Sequence, residues 1–383
     1  MGRLDRLRDW LTGEGARIRF LERLLAEFGA RLVAEGVPVD RVTLHARVLH
    51  PQFMAARLLW QPGMAEADVL RAGFGMTDDP IFLASPVYAL FEGADGLRHR
   101  LDRAAGADPY PILGELRAEG FTDYVALPLV LSTGQRLATS WATRRKGGFT
   151  TEELTELDAL AAILAMASEV RIVRRLARTL AETYLGQRTG EEVLDGRIRR
   201  GDVIRIDAVI WFLDMRAFTP LADKLAQDLL IDRLNRFFEA FGEPVFAHGG
   251  EILKFVGDAM LAVFTDHDAA TGAALDAARD GFANLDRLNA ELAAAGQPPI
   301  DCGLALHQGA VSYGNIGTAG RLDFTVIGPA VNEAARLQTL ARDLGQRLVL
   351  SPSFAAICGR PTRSLGAHPV RGLDRPLEAF VPA

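Results

Sequence analysis

One run of helical periodicity divides this chain. From Thr151 to about Tyr184, the residues Leu154, Leu157, Leu160, Leu164, Val173, Leu176 and Leu180 recur at spacings of three, four or a multiple. That is the pattern of a single long amphipathic helix. Thr150 reads as its N-cap, with Glu152 and Glu153 in the first turn, where acids complement the helix dipole. Strand-like segments lie on both sides, so the chain reads as two folded regions joined through this helix. No sheet remains near Val173–Tyr184 to cover its apolar stripe, and we expect a two-stranded coiled coil of about two heptads there. A length of 383 residues suits two domains of ordinary size plus a connector. Gly186 to Asp202, rich in Gly and charge, reads as a linker.

The composition excludes several classes. The chain is 49% hydrophobic and 24% charged, with a net charge of -6 and no long Lys/Arg block, so nucleic acid is not the favoured partner. Cys302 and Cys358 are the only cysteines, which rules out a disulfide framework and a CxxC zinc pattern. The first residues lack an apolar signal core, and Arg6 stands where myristoylation would want Ser or Thr. The most apolar run, Ala159–Ala167, is too short to span a bilayer. These features predict a cytoplasmic protein without a membrane span.

Before the long helix, Leu21, Leu24, Leu25, Phe28, Leu32 and Val33 would share one face of an N-terminal helix within residues 1–37. Val42, Leu44, Ala46 and Val48 alternate with Arg41, Thr43, His45 and Arg47 as in a half-buried strand. Phe53–Trp60 reads as the return strand and Leu97–Leu101 as a weaker one. Pro111–Glu119 reads as a short helix, and Thr122–Leu131 with Arg136–Thr143 as a hairpin. His45 and His50 are candidate haem ligands, but a lone histidine on a strand face or in a turn is more often structural.

After the helix, three segments carry chemistry. In VIWFLDMRAFT an apolar strand runs into Asp214, and Thr219–Pro220 reads as a helix start with Thr219 as N-cap. A carboxylate beside a helix N-terminus suits phosphate and its bound cations. In GGEILKFVGDAMLAVF two short strands flank a Gly257–Asp258 turn. This hairpin carries an inward-looking Lys254 and puts Asp258 at its tip, within reach of Asp214 if the two strands are neighbours. In RLDFTVIGPAVNEAARL a strand gives way to a helix at Gly328–Pro329, and Asn332 and Arg336 fall one helical turn apart. An Asn and an Arg so placed can hold a sugar and a phosphoryl oxygen. Taken singly, each residue has a plain structural explanation: a turn acid, a snorkelling lysine, an exposed polar helix face.

Together, DMRAFT, GGEILKFVGD, GAVSYGNIG and FTVIGPAVNEAARL resemble the class III nucleotidyl cyclase catalytic domain in order and spacing, over about residues 203–383. The resemblance implies a ferredoxin-like (βαββαβ-type) α+β domain. It implies that Asp214 and Asp258 bind two divalent cations, Mg²⁺ or Mn²⁺. Lys254 and Thr325 would select the purine, Asn332 and Arg336 would orient the ribose and stabilise the transition state, and Arg371 would bind phosphate. Adenine offers an acceptor at N1 and a donor amine at C6, which match a Lys254 donor and a Thr325 acceptor; guanine reverses both. ATP is therefore the expected substrate, with GTP, or a weak nucleotide-binding scaffold, as the alternative. Many family members have Asp at the 325 position, and Thr marks the subgroup that includes bicarbonate-responsive cyclases. Pro329 departs from the Asp often found there. The family's sites lie between head-to-tail partners, and one complete residue set per chain implies a homodimer. Residues 35–170 resemble a GAF-type sensor domain in architecture alone. The expected layout is an N-terminal helix (1–37), a GAF-like domain (38–170), a signalling helix and linker (171–202) and a cyclase domain (203–383). The signal that the sensor would bind, small molecule or protein, is left open.

Overall fold

The computed structural model describes residues 2–47, 53–103, 108–265, 269–370 and 376–383. Its contacts divide the chain into two units, Met1–Leu180 and Ala181–Ala383, and the fold is mixed α+β. Among the described residues, no helix is long and apolar enough to cross a membrane.

The first unit begins with helices α1 (Arg3–Thr12), α2 (Glu14–Arg17) and α3 (Leu21–Ala34). One N-terminal helix was expected; instead Gly13 breaks it after α1, and Ile18–Phe20 is extended before α3. Leu24, Leu25, Phe28 and Leu32 are fully buried as the periodicity predicts, whereas Val33 is exposed. A six-stranded antiparallel sheet follows: β1 (Arg41–Arg47), β2 (Ala55–Trp60), β3 (Asp68–Ala72), β4 (Leu97–Arg100), β5 (Asp123–Val130) and β6 (Arg136–Thr143), in the order β3-β2-β1-β6-β5-β4. Short helices α4 (Pro80–Leu83), α5 (Pro86–Phe91) and α6 (Pro111–Ala118) interrupt the strands. Val42, Leu44 and Ala46 point into a core shared with α1, α3 and the long helix α7 (Thr151–Leu185). His45 Nε2 lies 3.2 Å from Thr43 Oγ1, and burial, with Arg41 and Arg57 nearby, pushes its pKa down to about 3, so the ring is neutral. Val48, His50 and the turn at Pro51 lie outside the described residues.

Helix α7 starts as its sequence dictates. Glu153 N donates to Thr150 Oγ1 (3.2 Å) and Thr150 N to Glu153 Oε2 (2.8 Å), a reciprocal capping box. Leu157, Leu160 and Leu164 bury its earlier part; from Met166 onward it leaves Met166, Val170, Val173, Leu180 and Tyr184 exposed.

After the last residues of α7, the second unit carries α8 (Gln187–Leu194), where a linker was expected. Eight strands follow: β7 (Val203–Met215), β8 (Glu251–Val256), β9 (Ala259–Phe264), β10 (Cys302–Thr318), β11 (Arg321–Ile327), β12 (Leu348–Leu350), β13 (Thr362–His368) and β14 (Leu377–Pro382). Their order is β13-β14-β12-β10-β7-β9-β8, with β11 paired to the far end of β10. Between them run α9 (Phe218–Ala222), α10 (Gln227–Ala247), α11 (Ala270–Ala294), α12 (Pro329–Asp343) and α13 (Pro352–Ala355). One face of the sheet, with Trp211, Leu213, Met260 and Ala262, packs on α10 and α11. The other, with Ala208, Ile210, Leu261 and Val263, packs on α12. This alternation decides which side chains reach the site.

Candidate active site

Strand β7 delivers Asp214. Its even-numbered residues share the α12 face, and the strand pairs antiparallel with β9, Asp214 opposite Ala259. Asp258 precedes Ala259 in the turn, and Met215 N donates to the Asp258 carbonyl (3.2 Å). The strand pairing thus brings the two aspartates together. Burial first, then the charge of Asp258, raise the Asp214 pKa above the usual carboxylate range; Gln338 and Arg342 oppose the rise. Gln338 Nε2 donates to Asp214 Oδ2 (3.1 Å) from the buried side of α12. Sequence reasoning missed this glutamine. The signal was a lone amide on a helix stripe otherwise made of Ala330, Ala334, Leu337, Leu340 and Ala341.

Two ionisable carboxylates at adjoining chain reversals are a hard-oxygen set that fits Mg²⁺ or Mn²⁺. Among the described residues, no group of three His, Cys, Asp or Glu forms a metal cage, so further ligands would be phosphate, backbone or water oxygens. The helix after Asp214 begins differently from the expectation. It starts at Phe218, and Ala217 takes the cap position in the left-handed region (φ 54°), so Thr219 is not the cap and Pro220 sits inside the first turn. A proline is tolerated there because first-turn amides have no helical partner.

The β8–β9 hairpin forms as expected around Gly257 (φ 64°) and Asp258. Its ladder carries a bulge: Ile252 pairs with Ala262, but Lys254 pairs with Leu261, which leaves Leu253 as the extra residue. The bulge keeps Glu251, Leu253 and Lys254 on the α12 side of the sheet. Without it Lys254 would face α10, where Phe255 instead packs on Phe238 (ring centroids 4.4 Å). Lys254 is therefore not inward-looking: it is partly exposed, and its Nζ donates to Asp323 Oδ2 (2.8 Å) on β11. Asp323 also escaped the sequence reading, although RLDFT alternates it onto the same strand face as Thr325. Thr325 is 4% exposed, and its Oγ1 is buried without a hydrogen-bond partner among the described residues.

Gly328 (φ 149°) and Pro329 turn β11 into α12, with proline at the first helical position, which its fixed φ suits. Asn332 is exposed and Arg336 half-buried on that helix, one turn apart as the spacing predicts. His307 is buried on β10, its pKa lowered by burial and partly restored by Glu333, 3.9 Å away. Arg371 lies outside the described residues.

The segment ahead of β7 is built onto this apparatus. Glu251, 8% exposed at the start of β8, accepts hydrogen bonds from Thr189 N (2.9 Å), Thr189 Oγ1 (3.0 Å) and Tyr313 OH (2.8 Å). Asn315 Nδ2 donates to the Arg197 carbonyl (2.8 Å), and its backbone N–H to that of Asp202 (3.0 Å). Gly314 (φ 156°) permits this approach, since a Cβ there would lie 2.1 Å from the Asp202 carbonyl oxygen.

The chain is similar to known proteins over its C-terminal unit. Residues 205–360 match the family described as "Adenylate and Guanylate cyclase catalytic domain". An adenylate cyclase of Anabaena cylindrica is 34% identical over 148 residues, 38% of this chain and 29% of that protein. Adenylate cyclase 1 of Rhizobium meliloti is 29% identical over 181 residues, 46% of this chain and 27% of that protein. Among solved structures, the adenylyl cyclase CyaB from P. aeruginosa aligns with a TM-score of 0.44 at 25% identity, covering 48% of this chain and 96% of that one. The chain spans between 27% and 39% of the length of the curated relatives it matches. Within the C-terminal unit, residues 205–360 are thus similar to the adenylate and guanylate cyclase catalytic domain.

Proposed function

We propose that this chain is an adenylate cyclase, which converts ATP to 3′,5′-cyclic AMP and pyrophosphate at sites shared by two copies of the chain. The observation that carries the choice of ATP is the buried, unpartnered Thr325 hydroxyl on the strand face that Lys254 reaches. An acceptor for an exocyclic amine and a donor for a ring acceptor fit adenine. A guanine at the same place would set its N1–H donor against the ammonium. The adenylate cyclases of Anabaena and Rhizobium favour the same reading.

Asp214 and Asp258 would hold Mg²⁺ or Mn²⁺, two per site by resemblance to the family. Bound there, the cations would lower the pKa of the ribose 3′-hydroxyl and neutralise the triphosphate. Arg336 would meet charge developing on the α-phosphoryl group, so its loss should appear mainly in kcat, while Asn332 would orient the ribose. Arg371 would add a phosphate contact. In a head-to-tail dimer one copy supplies the aspartates and the other the Lys254, Thr325, Asn332 and Arg336 set. The exposed stripe Met166, Val170, Val173, Leu180 and Tyr184 repeats at intervals of four or three, or their sum, and supports pairing of α7 with a second copy. The C-terminal unit would be ferredoxin-like at its core, the first unit a GAF-like regulator with an unidentified signal, bicarbonate a candidate effector and the cytoplasm its location.

The test is cyclic-nucleotide production by purified full-length chain and a Val203–Ala383 fragment, with ATP or GTP and Mg²⁺ or Mn²⁺. A preference for GTP would overturn the Lys254–Thr325 assignment. Mixing Asp214→Ala and Arg336→Ala chains, each inactive alone, should restore part of the activity; no recovery would refute the shared site.

A further inference from the structure

We infer that Asp323 is the positioning residue for the purine-reading lysine, a role that rests on the adenylate cyclase reading above. Three observations converge on it. The bulge at Leu253 turns Lys254 from the α10 face to the α12 face, where its side chain is partly exposed and is not among the buried residues of that face's core. The ammonium then finds one acid, Asp323, at 2.8 Å, and the pair is 31% and 57% exposed in its two side chains. Asp323 stands two residues before Thr325 on the same strand, hence on the same face and about 7 Å along it.

This arrangement divides recognition between two side chains. Thr325 keeps a free hydroxyl for the amine, and Asp323 holds the lysine within reach of the ring nitrogen. An ammonium has three donors, so Lys254 can keep its bond to Asp323 while a second N–H turns to a purine acceptor. A four-carbon stem without such an anchor samples many rotamers and surrenders them on binding. An anchored lysine has surrendered most of them beforehand, which is preorganisation. Because the pair is solvent-exposed, its contribution is modest and screened by salt.

The experiment compares wild type, Asp323→Asn and Asp323→Glu as full-length chains. ATP turnover is measured together with binding of a non-cyclisable ATP analogue and its GTP counterpart. Asp323→Asn should raise the ATP KM and weaken analogue binding by roughly two- to fivefold, with kcat little changed. The ATP-over-GTP ratio should fall, and the difference from wild type should shrink in 0.5 M salt. Asp323→Glu should restore most of the loss, and a Lys254→Ala background should abolish the effect of Asp323→Asn. Thermal melting, unchanged at so exposed a site, serves as the folding control. Analogue binding and KM identical to wild type would overturn the inference and leave the enzyme assignment standing. A wild type that binds the ATP analogue but makes no cyclic AMP would overturn the enzyme assignment alone, with Asp323 then judged from binding. A chain that binds neither analogue would overturn both.

Discussion

Replacing Tyr313 by Phe removes one oxygen atom and leaves the ring, with its edge-on contact to Phe324 (centroids 4.7 Å, 82°), in place. The oxygen belongs to the only set of donors around Glu251 among the described residues: Thr189 N, Thr189 Oγ1 and Tyr313 OH. No ion pair among the described residues accompanies them, so these three bonds are what compensates a carboxylate left 8% exposed. Burial and the neighbouring Glu251 raise the Tyr313 pKa, which keeps the hydroxyl protonated and donating through the working range. A hydrogen bond to a charged group contributes about 1.5–3 kcal/mol, and its loss here leaves Oε2 without that donor. We expect Tyr313→Phe to cost about 2 kcal/mol, or roughly 4–8 °C in the melting of a unit this size. The loss should be local. Backbone amides of α8 should exchange with deuterium roughly thirtyfold faster, while peptides of the first unit keep their rates. Unchanged exchange in residues 187–194 together with an unchanged melting temperature would refute the reasoning, since the Glu251 carboxylate would then be trading one donor for water at no cost.

Three further outcomes follow from the site. Because the folded-state pKa of Asp214 is raised, the ionised carboxylate destabilises the metal-free fold above that pKa, and the cost disappears as pH falls through it. Metal-free Asp214→Asn should therefore melt at or above wild type at pH 8, should converge with it in acid, and should lose the stabilisation that Mn²⁺ gives wild type in calorimetry. Gln338→Leu removes the donor that opposes the rise, so the pH at which Mn²⁺ binding is half lost should move upward; a titration followed by electron paramagnetic resonance would detect it, and an unmoved midpoint would contradict the Gln338–Asp214 bond. Thr325→Val exchanges a hydroxyl without a partner for a methyl, so melting should be unchanged or higher while the ATP KM rises about tenfold, a loss of about 1.4 kcal/mol; a destabilised variant would mean the hydroxyl is bonded after all.

Much of this was legible in the chain. The long helix, its capping box and both hairpins follow from local chemistry: a Thr–x–x–Glu start, Gly–Asp at a reversal, apolar alternation on either side. The Asp214–Asp258 meeting was legible only conditionally, because it depends on β7 and β9 being neighbours, a long-range fact. What escaped did so for identifiable reasons. The α8 helix reads as a linker because Thr189 and Gly190, not a leucine stripe, are its buried residues, and its anchor is a glutamate more than sixty residues away. The left-handed cap at Ala217 breaks the usual preference for Ser, Thr, Asp or Asn, so the helix start was placed two residues late on Thr219. Gln338 and Asp323 act across elements, and neither partner is near in sequence.

The extra residue in β8 has a consequence for how this hairpin tolerates change. In an uninterrupted ladder, side chains three positions apart point opposite ways, so Glu251 and Lys254 could not serve the same side of the sheet. Leu253 supplies the missing half-step of phase. Deleting it would heal the ladder with Ile252 opposite Ala262 and Lys254 opposite Leu261; Glu251 and Lys254 would then stand two positions apart, and the ammonium would keep the α12 side and its bond to Asp323. The facing of the ammonium is thus set by pairing with β9, and omission of Leu253 would cost the apolar side chain that it adds to the core beside α12.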